Sequence, residues 1–268
     1  MIVEIDDISK EELRPYASLT EAQLRGLEDG GLLIAESPKV INTALASGLI
    51  PVSLLCERKH IEGDAREIIA SHTELPVYTG ERAVLASLTG YTLTRGVLCA
   101  MKRPRLPEPQ EILKDARRVC VLYDICDTTN IGAIFRTAAA LGIDALLLSP
   151  ETCDPFNRRA IRVSMGTVFQ IPWCYATDPI ATLKKQGFET LSMALRRESV
   201  FLQDFVPEPE GKYAVILGSE GYGLPSRIID QTDHTVKIPM HYGVDSLNVG
   251  AAAAITIWHF TQGRQGAK

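Results

Sequence analysis

Three short stretches of the 268-residue chain gather polar and small residues in patterns that packing alone does not require. The first runs Asn130-Ile131-Gly132-Ala133-Ile134-Phe135-Arg136-Thr137-Ala138. Its arginine interrupts an apolar helical pattern at a position where Ala or Leu would satisfy helix propensity. A guanidinium just inside a helix that leaves a strand end could hold a phosphate through two parallel hydrogen bonds. A surface arginine beside a carboxylate accounts for the same residue without chemistry. The second stretch, Gly218-Ser219-Glu220-Gly221-Tyr222-Gly223-Leu224, has glycines that let a ligand approach the backbone closely. Their order is G-x-x-G-x-G, not the G-x-G-x-x-G of a dinucleotide site, so a nicotinamide cofactor is disfavoured. A tight turn alone would use much the same residues. The third follows Ile238-Pro239-Met240 and reads Asp245-Ser246-Leu247-Asn248-Val249-Gly250 before an alanine run. Here Ser246 could bind a ligand, or cap the following helix for about 1 kcal/mol.

The elements that must position these loops follow from the apolar pattern. Val119–Ile125 reads as a continuous buried strand, followed by a polar loop and a helix from about Ile131 to Leu141 that stops at Gly142. Further strands are predicted at 145–149, 170–175, 188–194, 213–218 and 234–238, with helices near 155–164, 178–186, 225–231 and 247–262. This is an α/β, doubly wound domain on a mostly parallel sheet, whose ligands belong beyond the carboxyl ends of the strands. The last helix is apolar on more than one side, with Ile255, Ile257, Trp258 and Phe260, which predicts packing against the sheet and another subunit. Pro104, Pro107 and Pro109 mark a linker, placed at 107–116 between a smaller α/β domain over 1–106 and the domain over 117–268. In the smaller domain, apolar runs at 32–35, 52–56, 77–78 and 97–101 alternate with helical patterns at 37–48, 62–72 and 80–88. Residues 1–31 read as two preliminary helices, the second starting at Thr20.

Composition narrows the function classes. The net charge of −5 excludes a protein that coats nucleic acid by bulk charge. Arginines cluster nonetheless, at Arg95 with Lys102, Arg103 and Arg105, and at Arg158, Arg159 and Arg162. No apolar run reaches the ~18 residues that span a bilayer, and the acidic start lacks a signal peptide's apolar stretch, so a soluble, cytoplasmic protein without a membrane partner is expected. The six cysteines show no C-x-x-C pair and no histidine at zinc-ligand spacing, which predicts buried free thiols and no metal. A G-x-x-x-x-G-K-[ST] loop is absent, against a phosphate-loop nucleotide enzyme.

Taken in order, Asn130…Arg136-Thr137-Ala138, Gly218-Ser219-Glu220-Gly221-x-Gly223-Leu224 and Ile238-Pro239-Met240…Ser246-Leu247-Asn248-Val249 resemble the three motifs of the SpoU (TrmH-like) RNA methyltransferases of the SPOUT superfamily. The likeness covers about 119–262 and includes Arg162-x-Ser164-Met165-Gly166. The N-terminal part, ending in Arg95-Gly96-Val97-Leu98…Lys102-Arg103-Pro104, is similar to that family's ribosomal-protein-like substrate-binding domain. Two departures stand out: Asp127-Thr128-Thr129 replaces the usual Pro-Gly before Asn130, and Gly250 stands where serine is common.

The resemblance implies a C-terminal trefoil knot that forms an S-adenosylmethionine pocket, a homodimer, and methyl transfer to a ribose 2′-hydroxyl of structured RNA. Ribosomal RNA is favoured over transfer RNA; a transfer-RNA enzyme, a base methyltransferase and a non-catalytic RNA-binding relative are the alternatives. It places Arg136, Asn130, Glu220, Ser246 and Asn248 in the catalytic site, with Arg136 at the phosphate and hydroxyl. Leu195, Gly218, Ile238, Met240 and Leu247 fall to the cofactor, and Arg95, Lys102, Arg103, Arg158, Arg159 and Arg162 to RNA. All of this requires the guanidinium and the glycine, serine and asparagine turns to share one cavity.

Overall fold

The computed structural model of the protein describes residues 1–17, 19–27, 30–93, 96–219 and 221–262. The chain divides into two compact units, Met1–Arg105 with Phe156–Gln170, and Leu106–Pro155 with Ile171–Lys268.

The first unit begins with β1 (Ile2–Glu4) and a 3-10 turn over Glu11–Tyr16, where two helices were predicted for 1–31. Three residues are too few to show a period of two, so the strand was invisible until its partner β4 was known. The second helix of that segment, α1 (Glu21–Arg25), does start at Thr20, whose side chain and Gln23 form a capping box. There follow β2 (Leu32–Glu36), α2 (Pro38–Ala46), β3 (Pro51–Glu57), α3 (Arg66–Ser71), β4 (Val77–Gly80), α4 (Arg82–Thr89) and β5 (Val97–Lys102). The sheet order is β1-β4-β3-β5-β2, with β5 antiparallel to both of its neighbours. Leu13, Tyr16, Ile34, Leu55, Leu85 and Leu98 build the core on one of its faces.

The second unit starts at Leu106, one residue before the predicted linker, and takes the linker in. Residues 109–113 form α5 (Pro109–Leu113), capped by Glu108 and Glu111, and Leu113 is wholly buried. Proline at the first helical position costs nothing, because its missing N–H would have had no partner; the prolines thus start a helix that packs into the unit. Next come β6 (Arg118–Leu122), α6 (Thr128–Leu141) and β7 (Ala145–Leu148), and α6 stops at Gly142 in the left-handed conformation (φ +80°), as predicted. The following helix, α7 (Arg158–Val163), belongs to the first unit and not to the C-terminal domain where the linear reading put it. There the Arg158 guanidinium lies 5.0 Å over the Tyr91 ring, Arg103 lies 5.0 Å over Phe156, and the Arg158 amide donates to Glu21 at 3.1 Å. Sequence order carries no record of such contacts.

The chain continues through β8 (Trp173–Tyr175), α8 (Pro179–Lys185), β9 (Glu189–Met193), β10 (Val200–Phe201), β11 (Tyr213–Leu217), α9 (Ser226–Ile229), β12 (His234–Lys237) and α10 (Val249–Thr261). Among the described residues the sheet has seven strands in the order β10-β12-β9-β11-β6-β7-β8, every pairing parallel. Five or six strands were expected; the two-residue β10 is the addition. Alternate residues of each strand serve opposite faces. Val119, Val121, Ala145, Leu147, Ala214 and Ile216 face a core shared with α5, α8 and α9. On the other face α10 packs against α6, β6 and β11.

Candidate active site

The geometry follows from the strand order. In a parallel sheet all strands deliver their following loops to one edge, and β12, β9 and β11 are adjacent. Their three loops enclose a cavity of about 500 Å³. From β9 come Ala194, Leu195 and Arg196; from β11, Gly218, Ser219 and Gly221–Leu224; from β12, Ile238, Met240 and Asp245–Leu247. Val249 and Ala252 of α10 close one side. The five positions assigned to the cofactor, Leu195, Gly218, Ile238, Met240 and Leu247, therefore line one cavity, and so does Ser246.

Each loop is fixed locally. Ser199 Oγ donates to the Ala194 carbonyl at 2.8 Å and accepts from the Arg196 amide at 3.0 Å. Lys237 Nζ donates to the Arg196 carbonyl at 3.3 Å, and the Arg196 guanidinium pairs with Asp230 at 2.6 Å. In the glycine loop the Gly223 amide donates to the Ser219 carbonyl at 3.0 Å. A Cβ on Gly218 would fall 2.5 Å from the Gly223 carbonyl carbon, so glycine at 218 is a steric requirement of this turn. Upstream, Asp233 holds the start of β12 against β9: it accepts from the Thr190 amide at 2.9 Å, Thr190 Oγ1 at 2.7 Å and Lys184 at 2.8 Å. Burial pushes the Asp233 carboxyl up, but the bonds from Lys184 and Thr190 outweigh it and leave the pKa below the ordinary aspartate value.

The remaining candidate residues sit where α6 meets α10. Asn248 caps α10 by accepting from the Gly250 amide at 2.9 Å, and its Nδ2 donates to Asn130 Oδ1 at 3.0 Å, across 118 positions of sequence. Gly250 is the close-contact point: a Cβ there would stand 3.1 Å from Asn248 Oδ1 and 3.6 Å from both Ala133 and Asn130 Oδ1. Asp127 supplies the cap of α6, accepting from the Thr129 amide. Arg136 stands three residues beyond Ala133 on α6. Its side chain is exposed, has no ion pair among the described residues and does not line the cavity. The shared cavity expected for guanidinium and loops is thus not formed within the chain, because α6 presents Arg136 to solvent.

Glu220 and Arg95 lie outside the described residues. Among the RNA candidates, Lys102 and Arg159 are exposed, and Arg162 is exposed with its guanidinium 3.8 Å from the buried Glu36. Arg103 and Arg158 are instead stacked on Phe156 and Tyr91. Sequence reasoning gave no role to Ser219, Arg196 or Tyr222, all of which line the cavity. Their signal was positional: each lies just past a strand's carboxyl end.

A family model described as the SpoU rRNA Methylase family matches residues 117–258, a segment that contains all three strand-end loops. The chain belongs to the SpoU rRNA methylase family. It is accordingly an RNA methyltransferase dependent on S-adenosylmethionine. An uncharacterized tRNA/rRNA methyltransferase of Mycobacterium bovis is 35% identical over 86% of this chain and 81% of its own. The 23S rRNA guanosine 2′-O-methyltransferase RlmP of Bacillus subtilis is 31% identical over 63% of this chain and 71% of its own. An rRNA methyltransferase from Sinorhizobium meliloti, solved with AdoMet bound, shares the fold with a TM-score of 0.82 at 24% identity, over 96% of this chain and 97% of that one.

Proposed function

We propose that this SpoU methyltransferase transfers the methyl group of S-adenosylmethionine to a ribose 2′-hydroxyl of ribosomal RNA, with the donor in the cavity ringed by the loops of β9, β11 and β12. The observation that carries this reading is the convergence of two motif-bearing loops, those after β11 and β12, and the loop after β9 on one cavity of about 500 Å³. Two features fit an adenosyl donor. Leu195, Leu217, Ile229, Val236, Ile238 and Leu247 offer apolar surface for the faces of a purine, beside backbone amides and carbonyls for its edges. Ser219 Oγ is buried with no hydrogen-bond partner among the described residues, and such an orphan is costly unless a ligand satisfies it.

When bound, S-adenosylmethionine supplies a methyl group already activated by its sulfonium. The chain's task lies with the acceptor, whose hydroxyl is a weak nucleophile until its proton is drawn off. Arg136 holds the neighbouring phosphate and stabilises negative charge developing on the ribose oxygen as the hydroxyl proton passes to solvent water. Ser246 binds the same phosphate from the cavity wall. Asn130 and Asn248 lock α6 to α10 and so set the position of Arg136.

A second copy of the chain brings Arg136 to the cavity mouth. The support is α10, which leaves Ile255 (43% exposed) and Trp258 (49% exposed) uncovered on one helical face. The strand order supports a threaded C-terminus: β12 lies beyond β9, yet α10 returns to β6 and α6 across the sheet. Lys102, Arg159 and Arg162 contact RNA phosphates, while Arg103 and Arg158 brace the first unit through their aromatic partners.

Transfer of tritiated methyl to ribosomal RNA, followed by nuclease digestion and mass spectrometry of nucleosides, tests the reaction. A 2′-O-methyl nucleoside is expected; a methylated base, or methylation of transfer RNA alone, overturns the reading. Light scattering is expected to give twice the chain mass, and a monomer at working concentration removes the second copy's Arg136 from the account.

A further inference from the structure

Tyr222 borders the cavity and is 97% exposed. These properties are compatible only if the ring stands at the mouth and points outward. The turn that carries it is braced: the Ser219 carbonyl accepts from the Gly223 amide at 3.0 Å, and the Gly223 backbone fills the space beside Gly218 where a Cβ would be. Gly223 takes the left-handed conformation (φ +64°), which lets the chain reverse immediately after the tyrosine. A second bare ring, Tyr242 at 103% exposure, stands on the loop that leaves β12, between the lining residues Met240 and Asp245. Tyr242 itself adopts φ +57°, a backbone region that bulky side chains rarely occupy. Cations border the same cavity, with Arg196 and Lys237 in its wall.

We infer that Tyr222, together with Tyr242, forms an aromatic rim on which the base of the acceptor nucleotide and its neighbour stack, positioning the ribose over the methyl donor. This deepens the RNA-methylation reading and rests on it. The chemistry suits a single-stranded or flipped-out nucleotide. A tyrosine ring offers a flat apolar face at low conformational cost, and every nucleobase has a complementary face. Stacking of this kind holds the sugar in place without reading the base, so sequence discrimination falls to other contacts. Tyr222 and Tyr242 are thus substrate-positioning residues, acting on RNA affinity and not on the donor.

The test uses the full chain with Tyr222→Ala, Tyr222→Phe and the corresponding Tyr242 variants. The readouts are KM and kcat for an in vitro 23S rRNA transcript with tritiated donor, S-adenosylhomocysteine affinity by calorimetry, and mass by light scattering. Loss of one stacked ring is expected to raise the RNA KM by about tenfold or more. Phenylalanine should restore it to within about threefold, and S-adenosylhomocysteine affinity and mass should not change. An unchanged KM in Tyr222→Ala overturns the inference, as does a phenylalanine variant as defective as alanine, which would assign the effect to the hydroxyl. A parallel loss of S-adenosylhomocysteine affinity makes the ring a donor wall, and a fall in mass makes it a contact between copies; either outcome also overturns it. If the wild type transfers no methyl to the transcript, the ribosomal-RNA reading fails separately. Ultraviolet cross-linking of the wild type to total cellular RNA then decides the rim: nucleotides attached at Tyr222 or Tyr242 support it, and cross-links confined to other residues reject it.

Discussion

Arg136 stands exposed in the third turn of α6 with no ion pair among the described residues, so removing its side chain opens no cavity and strands no partner. Arg136→Ala should abolish methyl transfer while S-adenosylhomocysteine affinity stays within a few fold and stability within about 0.5 kcal/mol. Calorimetry and a thermal melt check this; a matching loss of donor binding would make the arginine structural. The thiols give a second residue-scale expectation. Burial pushes Cys56 up to about 11 and Cys120 and Cys174 up to about 12, and raises Cys99 as well. Cys126, by contrast, is exposed at the start of the Asn130 loop, which corrects the expectation of uniformly buried thiols. Maleimide near neutral pH should label Cys126 in the native protein and reach Cys56, Cys99, Cys120 and Cys174 only after denaturation, as read by peptide mass mapping. Labelling of the four at native rates would contradict their burial. At this scale the shared cavity of Gly218, Ile238, Met240 and Leu247 was legible because residue type and motif order grouped them, whereas Ser219 and Tyr222 were passed over because a serine or tyrosine beside glycines looks like turn chemistry until its burial or exposure is known.

At the scale of elements, two hydrogen-bonded joints set the site. Asn248 both caps α10 and bridges to Asn130. Asn248→Ala should lower stability by about 1–2 kcal/mol, visible as a fall of a few degrees in the melting midpoint for a chain of about this size. Methyl transfer should fall further than stability, because the bridge sets α6; equal activity would separate the bridge from the site. The other joint is Asp233 between β9 and β12. Its folded pKa is lowered, so its stabilising contribution is complete above the unfolded value of about 4 and is lost as pH falls through the folded one. Denaturation curves of wild type and Asp233→Asn should therefore differ at neutral pH and converge in acid; a constant gap down to low pH would mean that the carboxylate's charge contributes nothing. Most elements of the second unit were legible because buried parallel strands and their crossover helices have strong, distinct periods. β1 and β10 were not, being three and two residues long, and α5 was read as linker because proline marks both a break and a helix start.

At the scale of the molecule, the charge is −5 overall while the groups proposed to meet RNA are few: Lys102, Arg159, Arg162 and Arg136. With about four phosphate contacts the logarithm of affinity should fall with a slope near −3 in log salt, a loss of roughly fifty-fold between about 50 and 200 mM. Filter binding across that range checks it, and a flat response would remove phosphate contacts from the interface. The sequence by itself determined the fold class, the order of the motifs and the family, because these are written in periodicity and in residue types that a strand end or tight turn demands. Only the tertiary structure decided that the β9 loop joins the other two around one cavity, that 156–170 packs with the first unit, and that Arg136 faces solvent apart from the cavity it was expected to share. These are consequences of which strands become neighbours and which helical face is covered. Long-range pairing sets both, and the order of residues along the chain does not record it.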